Sequence, residues 1–333
     1  MKIDEMSKSD LTWTPNLRQI ILDLLLQIPE GMISTYKGLA LAIGDESAAR
    51  SVGTVLANNP WPDKYPCWKV VHSSGKVGKY SGENGKQGKI MRMQAEGIQV
   101  LGDRVANFDQ VRFSDFQVEA PLAQLSKRQR EIHNQVEQGP LEEYPSQVGG
   151  VDLSYAEGKV TASYVELHLD SLEVEYENSL ERESVQFPYI PGYLAFREMP
   201  LLIELLSEIR QQRKLAELIF VDGNGLLHPR NAGLATHLGV ALDHPAVGIA
   251  KKLLCGKVNV DGMVLGDRRP VMVDGRCLGF AVKTYSRANP IYVSVGHRVS
   301  LDQAVDIALE TAEYKLPEPV RSAHKLAKRL ATS

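Results

Sequence analysis

Two short apolar runs in the second half of the chain carry an acid where a strand would bury it. Asp152 stands within Gly149-Gly150-Val151-Asp152-Leu153-Ser154-Tyr155, and Asp222 closes Ile219-Phe220-Val221-Asp222 ahead of Gly223-Asn224-Gly225. A carboxylate removed from water is costly unless something pairs it. Two of them on adjacent central strands argue for a shared divalent cation, the alternative for Asp222 being a helix cap. Glu198, just before a helix that the pattern starts near Pro200, is a natural third ligand. An oxygen-only donor set selects Mg²⁺ or Mn²⁺ over zinc.

The surrounding pattern says which kind of sheet holds these acids. Residues 148–155, 159–167 and 172–176 alternate as strands, separated by Glu157-Gly158 and Asp170-Ser171, and so predict an antiparallel meander. A helix over 201–211 then leads to an apolar strand at 218–221, and a second apolar strand at 247–250 ends at Lys251. A meander followed by alternating helix and strand implies an α/β fold, a mixed sheet with helices on its faces.

At 333 residues the chain is too long for one core and suits two. Hydrophobic residues at 43% and charged residues at 24% exclude a disordered or collagen-like chain. The apolar run 20–28 is broken by Asp23 and is far too short to span a bilayer. The start, MKIDEMSKSD, carries acids where a secretory signal would be basic and then apolar. Three cysteines are too few for a disulfide framework, which predicts a reducing, cytoplasmic setting. The boundary falls near Gln117, giving domains 1–117 and 118–333, with a strand-like tail at 105–116 before it and a helix over 120–138 after it.

The first domain opens with a helix. Thr14 suits its N-cap and Pro15 its first position; Leu17, Ile20, Ile21, Leu24 and Leu25 share a face, and Pro29 and Gly31 end it. A helix over 36–43, Gly44, and a helix capped by Ser47 and running to Asn58 have the spacing of a helix-turn-helix. Net charge is −3, yet Lys64, Lys69, Lys76, Lys79, Lys86, Lys89 and Arg92 are opposed in that interval only by Glu83. Such a basic strip suits phosphates, although a solvated lysine face looks the same. Cys67 lies inside it, after Pro66. A lone cytosolic cysteine is more often a small buried hydrophobe, but Lys64 and Lys69 beside it favour the nucleophilic thiolate.

The ordered set Ile33-Ser34-Thr35-Tyr36, Ala48 to Gly53, Asn58-Asn59-Pro60, Pro66-Cys67, Val70-Val71, Ser73-Ser74-Gly75, Tyr80-Ser81-Gly82 and Glu96-Gly97 resembles the O6-alkylguanine-DNA alkyltransferases. The resemblance implies a winged-helix-like domain that extrudes the damaged base from DNA, as any protein acting on a stacked base must. It implies that Cys67 is the irreversible alkyl acceptor, that Arg50 intercalates for the flipped guanine, that Tyr36 pushes the 3′ phosphate and that Asn59 is the hinge. The family follows its cysteine with histidine and arginine, whereas here stand Trp68 and Lys69. An indole N–H only donates, so it cannot take the thiol proton and relay it toward Glu96. Trp68 is expected instead to line the pocket and stack on the flipped purine.

The second half resembles endonuclease V, on Gly149 to Tyr155, Pro188 to Glu198, Val221 to Gly225, His228-Pro229-Arg230, Gly248 to Lys251 and Gly296 to Ser300. That resemblance implies a ribonuclease H-like fold and cleavage of deaminated DNA, chiefly at inosine, at the second phosphodiester 3′ to the lesion. It implies that Asp152, Glu198 and Asp222 hold Mg²⁺, with Mn²⁺ a substitute, and that His228 and Lys251 belong to the active site, the first moving a proton or orienting water and the second meeting a phosphate. His297 stands behind them. Tyr189 centres a stiff wedge with Pro188, Ile190 and Pro191, and hypoxanthine is read near Gly192 and Gly223. The partner expected is single- or double-stranded DNA carrying inosine or O6-alkylguanine, with no membrane and no obligate protein partner. Two rival readings remain at this stage: an endonuclease V carrying an inert lesion-binding module, and a nuclease directed at inosine RNA.

Overall fold

The computed structural model describes residues 14–156, 158–183 and 187–331. The acidic start of the chain and Glu157 of the predicted turn lie outside them. The chain divides into two compact units, Thr14–Ser126 with Gln186–Pro191, and Lys127–Val185 with Gly192–Ser333.

In the first unit, helix α1 (Leu17–Leu25) is capped by Asn16, whose side chain accepts from the Gln19 amide, two residues beyond the expected Thr14. Helices α2 (Tyr36–Ala42) and α3 (Ala49–Ala57) form the expected pair. The turn between them differs in detail. Asp45, not Ser47, provides the cap: it accepts from the Ser47 amide at 2.8 Å and starts a 3-10 turn, Glu46–Ala48, that leads into α3. A carboxylate outcompetes the following serine because it can meet an amide two residues on. Helix α4 (Gly85–Ala95) packs on the 3-10 turn Cys67–Lys69. The predicted strand-like tail is mostly absent: Arg104–Val105 pairs briefly, and Phe108–Val111 is helical.

In the second unit one mixed sheet carries everything. Its strands are β1 (Gln147–Ala156), β2 (Lys159–His168), β3 (Val174–Glu183), β4 (Leu218–Asp222), β5 (Ala246–Ala250), β6 (Arg268–Val273), β7 (Arg276–Val282) and β8 (Ile291–His297), in the order β6-β7-β8-β5-β4-β1-β2-β3. β1, β2 and β3 make the expected antiparallel meander, while β1, β4 and β5 run parallel. Strands β6, β7 and β8 were not anticipated from the sequence. Helices α6 (Leu194–Gln212) and α7 (Leu234–Leu242) share a core with Val151 and Val221 on one face. Helices α8 (Leu301–Glu310) and α9 (Glu318–Ala331) share another with Val148, Phe220 and Ile249. Helix α5 (Pro121–His133) precedes the sheet. Among the described residues no helix is long and apolar enough to cross a membrane.

Candidate active sites

The parallel register brings the two strand acids together. Val151 is the partner of Val221 across β1 and β4, so Asp152 and Asp222 emerge side by side at the same edge. Side chains two apart share a face, so Val148, Gly150 and Asp152 point the same way, toward α9. Gly150 decides how close α9 can come. A Cβ there would lie 2.0 Å from the Pro319 carbonyl oxygen. That close approach carries His324 onto the acids, with its Nδ1 2.6 Å from Asp152 Oδ2. Ligand atoms of Asp152, Asp222 and His324 lie within 4.8 Å of one another.

Glu198 approaches from α6. The helix begins at Leu194 and runs through Pro200, so Glu198 lies inside it rather than just before it. It is 8% exposed, and Tyr155 donates its hydroxyl to Oε1 at 3.4 Å. Burial, then the charges of Asp152 and Asp222, push its carboxyl up to about 8. Burial and then Asp222 push Asp152 up to about 6. Crowding in low dielectric raises the proton affinity of Asp152 and Glu198, and a cation reverses that pressure. Lys251, just past β5, pairs with Asp222. The donor set therefore fits a hard divalent cation, with one imidazole that the sequence did not reveal.

His228 sits apart from this cluster. Its Nε2 meets the Gly192 carbonyl at 3.2 Å and its Nδ1 accepts the Arg230 amide at 3.2 Å, while burial, then Arg230, holds the ring down to about 3. Both ring nitrogens are engaged around the Gly192 turn, so the ring braces that turn. Gly192 has φ +79°, and a Cβ there would meet the Arg230 guanidinium at 2.9 Å. Tyr189 is 59% exposed and Pro191 is exposed, but Ile190, expected beside them in the wedge, is fully buried. It anchors the loop instead. His297 lies behind, with Nε2 3.5 Å from Asp243.

In the first unit Cys67 lines a cavity of about 780 Å³ with Tyr36, Arg50, Gly53, His72 and Tyr80. Cys67 is 4% exposed, and its amide donates to the Tyr65 carbonyl at 2.7 Å. Asn59 donates to the same carbonyl at 2.9 Å and accepts the Trp61 amide at 3.0 Å, bracing the turn that presents the thiol. Arg50 is exposed on α3, where it can reach a groove. His72 is exposed, its ring 5.4 Å from that of Tyr36.

Trp68 does not line this cavity. It is buried in the core with Ile33, Val71, Val77, Ile90 and Met93. The short 3-10 turn rotates consecutive side chains apart, so the position after Cys67 faces inward. Lys69 also departs from expectation. Its ammonium is buried against Glu96 at 2.8 Å and donates to the carbonyls of Pro29 and Ile28 at 3.0 and 3.3 Å. Glu96 additionally accepts the Gly31 amide at 3.0 Å. Lys64 lies 4.9 Å from the Tyr65 ring centroid. The basic strip is likewise discontinuous, since Lys69 and Lys89 are buried.

Both halves match known families. Residues 130–325 match the endonuclease V family, and residues 16–98 match the 6-O-methylguanine DNA methyltransferase DNA-binding domain. A "Bifunctional methyltransferase/endonuclease" from Thermoplasma volcanium is 35% identical over 315 residues, covering 94% of this chain and 90% of the relative. The chain belongs to the bifunctional methyltransferase/endonuclease family. As a member of that family it is a DNA-repair protein that combines a methyltransferase with an endonuclease V. The catalytic domain of human endonuclease V is similar in structure, with a TM-score of 0.60 and 35% identity, covering 64% of this chain and 97% of that one. Endonuclease V of Ciona intestinalis, solved with DNA containing an inosine followed by a ribo-adenosine, has a TM-score of 0.57 and 25% identity, covering 63% of this chain and 98% of that one.

Proposed function

We propose that this bifunctional methyltransferase/endonuclease removes alkyl groups from O6-alkylguanine onto Cys67 and cuts DNA at the second phosphodiester 3′ to inosine. The methyl-transfer residues all precede Gln117 and the nuclease residues all follow it, which is where we assign the domain boundary. The observation that carries the nuclease reading is the convergence of Asp152, Asp222 and His324 on one point at the strand ends. These residues, with Glu198 beside them, would hold Mg²⁺ or Mn²⁺. Such a cation supplies an activated water and charge stabilisation at the phosphate. Lys251 places a positive charge at the same edge, Tyr155 orients Glu198, and His228 with Arg230 fixes the Gly192 turn beside the base pocket. Tyr189 fills the stack vacated by the flipped nucleotide. The inosine-bound Ciona relative supports DNA as the substrate.

The experiment is nicking of a duplex with a single inosine by wild type, Asp152→Ala and His324→Ala, in Mg²⁺ and in Ca²⁺. The reading expects cutting by wild type in Mg²⁺ alone, with binding but no cutting by Asp152→Ala. Normal nicking by Asp152→Ala would refute the site. The cavity at Cys67 is large enough for a base and has the thiol on its wall, as transfer requires.

A further inference from the structure

The cysteine's base is missing from the position after it, yet the helix α4, which packs against the turn carrying the thiol, holds a buried cation. Lys89 on α4 is 1% exposed, one of the largest fully buried side chains of the protein. Its ammonium donates to the Val70 carbonyl at 2.5 Å and lies 5.9 Å from the Tyr36 ring centroid. Among the described residues no carboxylate pairs with it. Of the other charged groups around the thiol, Lys69 pairs with Glu96, Arg92 with Asp63 at 2.7 Å and Lys37 with Glu46 at 2.6 Å, while Arg50 and Lys79 line the cavity from exposed positions, where solvent screens them. The phenols of Tyr36 and Tyr80 are pushed up by burial and stay neutral, and His72 is exposed against Tyr36.

A buried ammonium satisfied by one carbonyl needs an anion, because an unpaired charge in low dielectric is strongly disfavoured. Cys67 is the group that can provide one. The two interact electrostatically: burial brings Lys89 down to about 8, while the cysteine's charge acts in the opposite direction.

We propose that Lys89 is the charge partner of Cys67, holding its thiolate in place of the imidazole that Trp68 displaces. The inference rests on Cys67 being the alkyl acceptor. Lys89 stays an ammonium, and its charge holds the thiolate formed when the thiol proton leaves to water. The thiolate sulfur forms a bond to the alkyl carbon as the carbon–O6 bond breaks. Guanine leaves with the electron pair and takes a proton at N1 from water, so the thiol proton is balanced through water and Lys89 remains protonated throughout. Lys89 is thus a positioning residue, acting through the charge of Cys67.

The full-length protein is compared with Lys89→Met and Lys89→Arg by iodoacetamide labelling of Cys67 and thiolate ultraviolet absorbance across pH, and by single-turnover transfer from O6-methylguanine DNA. Loss of a buried opposite charge that acts on a thiol changes its thiolate population by roughly tenfold or more. Lys89→Met should therefore label at least about tenfold more slowly near neutrality, with the gap closing at alkaline pH. Lys89→Arg should restore the neutral rate. Superimposable pH profiles for wild type and Lys89→Met overturn the pairing, whether or not Lys89→Arg folds. A shifted labelling profile with no methyl transfer by wild type keeps the pairing and rejects Cys67 as an alkyl acceptor. Transfer with an unshifted profile does the reverse.

Discussion

A lysine kept charged in a buried position should destabilise the unit that contains it, and removing it should reveal the cost. Lys89 titrates near 10.5 when exposed and about 8 in place, chiefly through burial. At 1.36 kcal/mol per pKa unit that difference is about 3 kcal/mol. The sign follows from proton binding. Between about 8 and 10.5 the unfolded chain holds the proton that the folded one has lost, so stability from this group rises with pH. Below about 8 both states are protonated and the penalty is complete. Lys89→Met removes the penalty but leaves the Val70 carbonyl without its donor, a loss of about 1 kcal/mol. The expected net gain is about 2 kcal/mol at neutral pH, shrinking toward zero or below as pH approaches 10.5. Denaturant unfolding followed by tryptophan fluorescence, in a Trp13→Phe background, isolates the relevant unit. Trp61 and Trp68 lie within it, and the described residues of the nuclease unit contain no tryptophan. A variant less stable than wild type at neutral pH, or a difference that does not change with pH, would refute the reasoning.

Further expectations concern the other residues of the two sites. Asp222→Ala should abolish nicking of inosine DNA in a gel assay, because losing a ligand removes several kcal/mol of transition-state stabilisation. Tyr189→Ala should slow cleavage of duplex far more than of single strands; equal loss on both would make the exposed tyrosine structural. Trp68→His should destabilise the first unit by roughly 2–4 kcal/mol, since it leaves a void and a polar ring in a packed core. It should not accelerate methyl transfer, because Glu96 is already held by Lys69 and Gly31. A faster single-turnover rate for Trp68→His would show that the side chain turns into the cavity after all.

The acids were legible because strand alternation and parallel pairing follow from short apolar runs, and both place Asp152 beside Asp222. His324 was not, since 172 residues separate it from Asp152 and only tertiary packing brings α9 across. The signal in the sequence was Gly150, a glycine inside a strand where another backbone comes close. Trp68 was misplaced for a different reason. Its chemistry was read correctly as unable to accept a proton, but a side chain's direction within a 3-10 turn is not encoded in its polarity. Lys89 was visible as one of seven basic residues, and charge alone does not distinguish a solvated lysine from a buried one. Strands β6 and β7 escaped notice because arginines open both and they lie at one edge of the sheet. By contrast, β8 is a short buried run inside the sheet whose apolar residues, broken by Ser294 and Gly296, were passed over.

The measurement that bears most directly on two separate chemistries in one chain is the mass of the Cys67 peptide after incubation with O6-methylguanine duplex. Wild type and Asp222→Ala should both gain one methyl group on Cys67, stoichiometrically and without turnover, although only wild type nicks inosine DNA. An unmodified Cys67 on protein that demonstrably binds the lesion would contradict the account and leave the first unit a recognition module.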